Sequence, residues 1–336
     1  TDNVIHGRTY NPWNDWASPG GSSGGASAAV MSGMGSLAHG NDIAGSLRIP
    51  STATGACTVK PGLGRVPAYN PSQTQERGLI AQLMSVQGVI AREIKDVRLG
   101  MQSLINYDPR DPWMVDMPFE SKEIQLPIKI GFTKETLGES LHPAINKALE
   151  NAIDALKDAG YILEEVALPE FEDAANFSAK TLFGEIKALH EKDYKKLGSE
   201  NFNLVAENYF KIISPFEGED LLLGMAKRSY FFREWNLFFR KYPLVLTPFL
   251  LYPTYEWNRD TQGLEGTKEV LAGMFYAHTM NYMGIPAGVV SANYNDGLPV
   301  GVQIISTRFR EDIILNACEE IEKRVGIMAE KLFERG

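Results

Sequence analysis

Two clusters of glycine and serine, their central serines 24 residues apart, could each set a hydroxyl beside free backbone N–H groups. The first reads Gly20-Gly21-Ser22-Ser23-Gly24-Gly25, the second Asp42-Ile43-Ala44-Gly45-Ser46-Leu47-Arg48. Glycine loses more backbone entropy on folding than any other residue, so such clusters mark a chain that must turn sharply or approach something closely. A serine hydroxyl is a weak nucleophile at neutral pH and needs a base within hydrogen-bond reach. A carbonyl under attack needs N–H donors for the charge that grows on its oxygen. Acyl transfer is the chemistry these residues suggest.

Three constellations could supply it. A Ser-His-Asp triad on a nucleophile elbow would use Gly21-Ser22-Ser23-Gly24-Gly25, which fits G-x-S-x-G with Ser23 at the centre. That motif needs an apolar strand before it and a helix after it. The helix condition is met, but residues 11–19 are polar, aromatic and proline-punctuated. The five histidines are scattered, with His142 starting a helical pattern and His278 inside one. A metal centre has little support, since there is no H-E-x-x-H and neither Cys57 nor Cys318 has a nearby Cys or His.

The third constellation comes from a resemblance. GGSSGG, the small-residue stretch after it, Gly40 to Pro50, and Lys60 to Val66 (KPGLGRV) occur in order, and GIPAGVV (284–290) and GLPVGVQIISTRFRED (297–312) close the chain. This set resembles the amidase signature family, whose members hydrolyse carboxamide C–N bonds through a Ser–cis-Ser–Lys triad. The resemblance implies Ser46 as nucleophile, Ser22 as the bridging serine on a cis peptide, and Ser23 as hydrogen-bonding support. It implies an oxyanion hole from the N–H groups of Ile43, Ala44, Gly45 and Ser46, with Asp42 and Arg48 locking the turn as an ion pair or by hydrogen bonds. No metal or organic cofactor is required. The fold it implies is α/β, a mixed twisted central sheet covered by helices on both faces, with the site in loops at strand ends.

The sequence departs from the family pattern in three places. Ala44 stands where a first glycine is common, and Asn41 where Thr or Ser usually precedes the aspartate. The family's lysine base lies upstream of GGSSGG, yet none of the 19 residues before Gly20 is lysine. Lys60 belongs to the KPGLGRV block and reads as structural, and Lys95 falls on the exposed side of a helical pattern. The expectation is therefore a single amidase domain over 1–336 that lacks its N-terminal segment, with the lysine supplied from a separate segment or chain. Alone it should be inactive and poorly soluble. The alternatives are the amidase-like component of a glutamine-dependent amidotransferase and a non-catalytic fragment, and ester hydrolysis stays open. The opening TDNVIHGRTYNPW is closer to hydrolases of small, cyclic or oligomeric amides than to the tRNA-linked component.

Composition sets the frame. A chain of 336 residues with 44% hydrophobic and 22% charged residues is ordinary globular material, and a net charge of −9 without basic runs argues against nucleic acid. Two cysteines make no disulfide framework, and no apolar run is long enough for a membrane span. The expected setting is cytoplasmic, with a small amide as substrate and a homodimer allowed.

The elements that must position the serines follow from periodicity. Residues 25–39 read as one buried helix abutting the first glycine cluster, 92–106 and 142–159 as amphipathic helices, and 127–132 and 161–167 as strands of a β-α-β unit. Residues 170–241 read as helical and aromatic. Their cluster at Tyr230, Phe231, Phe232, Trp235, Phe238 and Phe239 is either core or, with Trp113, a pocket wall. Residues 244–247, 287–292 and 300–306 read as strands, 270–283 and 310–325 as helices.

Overall fold

The strands at the centre of the protein are apolar on both sides, which requires helices on both faces of the sheet. The computed structural model describes residues 1–120 and 126–335. A two-stranded ribbon, β1 (Asp2–Asn3) and β2 (Gly7–Arg8), opens the chain. The main sheet contains β3 (Leu37–Asp42), β4 (Cys57–Lys60), β5 (Val86–Ala91), β6 (Lys129–Phe132), β7 (Ile162–Glu165), β8 (Leu244–Pro248), β9 (Ala287–Asn295) and β10 (Leu298–Ile305). Their order is β3-β5-β4-β9-β10-β8-β6-β7. β6 runs parallel to β7 and β8, and the other neighbours are antiparallel. This is the mixed α/β sheet the resemblance implies.

The helices are α1 (Gly24–Met31), α2 (Arg48–Thr54), α3 (Leu79–Met84), α4 (Ile94–Leu104), α5 (Pro143–Asp158), α6 (Phe171–Leu197), α7 (Glu200–Ile213), α8 (Gly218–Phe239), α9 (Gly263–Ala272), α10 (Phe275–Met283), α11 (Glu311–Val325) and α12 (Met328–Phe333). Successive strand residues point to opposite faces, and the cores divide accordingly. Leu244, Leu246, Val290, Val302 and Ile304 join α4, α5 and α11 in one core. Val245, Ala287 and Ile305 point the other way, into a core built from α3, α6, α8 and α10. Val289 meets Ile49 of α2 and Ala277 of α10 in a smaller cluster on that second side.

Two expectations need correction, and one short helix was not foreseen. The small-residue helix ends at Met31, and Leu37–Asp42 is an edge strand on β5 rather than helix. A run with few large apolar residues carries little period, so helix and strand looked alike there. The single helix over 270–283 is two, because Gly273 sits where a Cβ would fall 2.0 Å from the Tyr255 hydroxyl, and the chain breaks beneath that ring. A short helix, α12, follows α11. In α8, Phe231, Trp235 and Phe239 are buried in the core, which supports the packing reading of that aromatic cluster. Trp113 is partly exposed and donates through Nε1 to Gln82 Oε1 at 3.1 Å.

Candidate active site

The second glycine-serine cluster forms the turn between β3 and α2, at the sheet end shared by the last residue of β4 and the first of β9. Asp42, the last residue of β3, is fully buried and holds this turn from inside. Its Oδ1 accepts the Gly45 N–H at 2.7 Å, and its Oδ2 accepts the N–H groups of Leu47 at 3.2 Å and Arg48 at 3.4 Å. The Arg48 guanidinium closes on the same carboxylate, Nε to Oδ2 at 3.0 Å and Nη2 to Oδ1 at 3.1 Å. Burial alone would raise the Asp42 carboxyl, but the adjacent Arg48 charge and its hydrogen bonds outweigh that and hold it below its usual value.

Arg48 also reaches across the molecule. Nη1 donates to Gln303 Oε1 of β10 at 2.7 Å, and Nη2 donates to the Ala277 carbonyl of α10 at 2.9 Å and to Asn281 Oδ1. Asn281 Nδ2 in turn donates to the Asp42 carbonyl at 2.8 Å and to the Met84 carbonyl at 3.0 Å. Every charge and amide in this knot is paired, as a buried polar cluster requires. Gly45 is forced by space and conformation together. Its φ is +109°, and a Cβ there would lie 2.7 Å from Ile49 Cδ1 and 2.8 Å from Ala277 Cβ.

The first cluster wraps against this turn. The Gly21–Ser22 peptide is cis, and Gly20, at φ +71°, leaves only 2.9 Å between a would-be Cβ and the Pro50 backbone. Ser23 N–H donates to the Ser46 carbonyl at 3.1 Å, and Ser23 Oγ to the Asn41 carbonyl at 3.4 Å. Gly40 makes room for this, since a Cβ there would sit 2.7 Å from Ser23 Oγ. Behind them Ser27 Oγ meets Thr54 Oγ1 at 2.6 Å and donates to the Pro50 carbonyl at 3.2 Å, tying α1 to α2.

The fold therefore brings Ser22, Ser23 and Ser46 to one place. Ser46 is half-buried and Ser22 exposed, and neither hydroxyl has a hydrogen-bond partner among the described residues. Of the four expected oxyanion donors, Gly45 N–H is already held by Asp42, while those of Ile43, Ala44 and Ser46 have no acceptor among the described residues. Ser23 precedes α1 as its N-cap residue but follows no strand of the main sheet, so the elbow geometry is absent.

Neither lysine weighed from the sequence makes a hydrogen bond to a site serine among the described residues. Lys95 is exposed and paired with Glu93. Lys60 is fully buried, and its Nζ donates to the Pro61 carbonyl at 2.8 Å. Burial, then the Arg48 charge, pushes it down to about 7. Sequence reading missed Asn281, Gln303 and Ala277. The one signal for Asn281 was an amide in the apolar run Met280-Asn281-Tyr282-Met283.

Comparison with known proteins fits this geometry. A family model described as amidase matches residues 1–315, and the chain belongs to the amidase family. It is 38% identical to an indoleacetamide hydrolase of Bradyrhizobium japonicum over 99% of this chain and 72% of that protein. An indoleacetamide hydrolase of Bradyrhizobium diazoefficiens is 39% identical, and the chain spans 64% of its length. A glutamyl-tRNA(Gln) amidotransferase component of Methanosarcina acetivorans is 27% identical over 96% of this chain and 71% of that protein. Among solved structures, a bacterial aryl acylamidase of the amidase signature family aligns with a TM-score of 0.78 at 25% identity, covering 99% of this chain and 71% of that one. A 6-aminohexanoate cyclic dimer hydrolase shares the fold, with a TM-score of 0.80 at 23% identity over 97% of this chain and 72% of that one. These hydrolases act on C–N bonds. Among the described residues no helix is long and apolar enough to cross a membrane.

Proposed function

We propose that this protein hydrolyses the carboxamide C–N bond of a small arylacetamide through a serine acyl-enzyme. The observation that carries the reading is the turn itself. Asp42 and Arg48 clamp the backbone so that Ser46 Oγ and the N–H groups of Ile43, Ala44 and Ser46 are left, among the described residues, without protein partners on one short segment. Ser46 Oγ attacks the carbonyl carbon, and its proton passes through Ser22 to a lysine base, a role that neither Lys60 nor Lys95 fills by contact. The free N–H groups take the oxyanion, as preorganised donors do in acyl transfer. Ammonia leaves with a proton returned through Ser22, and water then releases the carboxylic acid and restores Ser46.

Two observations support an aromatic acyl group. Ile43 and Ala44 pack against the cluster that contains Phe171, Phe275 and Tyr276. The two most alike relatives named above are indoleacetamide hydrolases. The test is labelling by a fluorophosphonate with peptide mapping, together with ammonia release from indole-3-acetamide. Label on Ser46, lost with Ser46→Ala, and ammonia release support the reading. Label on Ser23 instead overturns it, whereas folded protein that neither labels nor releases ammonia shows an amidase body without its base. The resemblance to the amidotransferase component supports a second reading, glutaminase activity that emerges only with a partner protein.

A further inference from the structure

His278 lies on α10 beside the residue that packs on the nucleophile turn. Ala277 closes over Gly45 and gives its carbonyl to Arg48, and Asn281, four residues on, holds Asp42 and Arg48. His278 faces α6, where its Nδ1 lies 3.0 Å from Ser178 Oγ. The same Oγ lies 2.9 Å from the His278 carbonyl, as donor to it.

A serine hydroxyl has one hydrogen and two contacts to serve here. If that hydrogen went to Nδ1, two oxygens would face each other at 2.9 Å with nothing between them. Both contacts are satisfied only when Ser178 donates to the carbonyl and Nδ1–H donates to Ser178 Oγ. The proton of the neutral ring is then on Nδ1, and Nε2 carries a lone pair. Burial, with the Arg48 charge nearby, pushes the imidazole down to about 4, so the ring stays neutral at working pH. Nε2 has no hydrogen-bond partner among the described residues, and His278 is only partly buried. The result is an acceptor without a donor, next to the helix residue that touches the nucleophile turn.

We propose that His278 Nε2 accepts a hydrogen bond from a ring N–H on the acyl side of the substrate, and so selects arylacetamides that carry such a donor. This rests on the arylacetamide reading above and adds the feature of the aryl group that is recognised. Ile43 and Ala44 pack against a cluster holding Ala174 and Ala175 of α6 and Phe275, Tyr276 and Met280 of α10, so an acyl group held at Ser46 is directed toward the α6–α10 seam where His278 meets Ser178. A site built around an acceptor discriminates strongly against an isostere that presents a lone pair in place of a hydrogen.

The test compares indole-3-acetamide with benzofuran-3-acetamide, which replaces the ring N–H by oxygen at nearly constant shape. Dissociation constants are measured by calorimetry on the full chain carrying Ser46→Ala, so that neither amide turns over. Indole-3-acetamide should bind roughly 10- to 100-fold more tightly, the range expected when an acceptor covered by bound substrate is left without its donor. Adding His278→Phe should bring the ratio near one without weakening the benzofuran compound, and His278→Gln, which can present Oε1, should restore part of it. Nitrogen-15 NMR of the imidazole should show an unprotonated Nε2, a readout that does not depend on any variant folding. Equal affinities in the parent, a ratio unchanged by His278→Phe, or a proton on Nε2 would overturn the assignment. Binding of neither amide, with no ammonia release from the unsubstituted enzyme, would instead remove the arylacetamide reading and this inference with it.

Discussion

Lys60 is the charge whose removal should stabilise the protein. It is fully buried at the end of a central strand, with one hydrogen bond from Nζ to the Pro61 carbonyl and no salt bridge among the described residues. Its ammonium is driven down from 10.5 to about 7, so the unfolded chain binds more protons than the folded one between those values. Stability therefore rises with pH across that window, and the burden of Lys60 is largest at and below pH 7. Working the linkage through, the penalty is about 4 kcal/mol at pH 7 and falls to about 1 kcal/mol at pH 10. Lys60→Met carries no such term, although it leaves the Pro61 carbonyl without a donor, a pH-independent loss of roughly 1 kcal/mol. The substituted protein should be about 3 kcal/mol more stable at pH 7 and close to the parent at pH 10. Urea unfolding of both proteins at pH 7, 8, 9 and 10, at fixed ionic strength, reads this directly. Other titrating groups cancel in the difference unless they couple to Lys60. A stability difference that stays flat with pH, or a parent that is more stable at pH 7, would refute the reasoning.

Other substitutions probe the site and the core. Arg48→Met leaves Asp42 buried without its partner and should cost about 3–5 kcal/mol in chemical denaturation. Gly45→Ala must place a methyl 2.8 Å from Ala277 Cβ at φ +109°, and labelling of Ser46 by a fluorophosphonate should fall with it. Trp235→Ala removes a fully buried ring whose Nε1 donates to the Pro169 carbonyl at 3.0 Å, and should lower stability by about 3–5 kcal/mol without changing which serine is labelled. Ser46→Ala should abolish ammonia release while leaving the free energy of unfolding in urea within about 0.5 kcal/mol of the parent, as a partly exposed hydroxyl allows.

The amphipathic helices and the C-terminal hairpin were legible because their periods are strong. Ile145, Leu149, Ile153 and Leu156 mark one face of α5, and Asp296-Gly297, both at positive φ, close β9 on β10. The strands β3, β4 and β5 were not. β3 carries His, Gly, Asn and Asp, and β4 is four residues buried on both sides, so neither alternates. The serines and the Asp42–Arg48 turn stood out because glycine clusters are local in sequence. Their supports did not, because Ala277, Asn281 and Gln303 lie more than 200 residues away and no spacing rule joins them. His278 needed its two contacts to Ser178 before its chemistry could be read at all.

Those long-range supports also govern when the serine becomes competent. A chain is synthesised from its N-terminus, so Ser46 leaves the ribosome long before Asn281 and Gln303 exist. Until they arrive, Arg48 and Asp42 have only each other and the backbone of their own turn, and Gly45 lacks the Ala277 methyl that closes over it. On the proposed reading, the nascent protein carries an unassembled nucleophile, and Ser46 becomes reactive only once the last hairpin has been laid into the sheet. Any truncation before residue 303 should leave a chain with all its site serines and none of their reactivity.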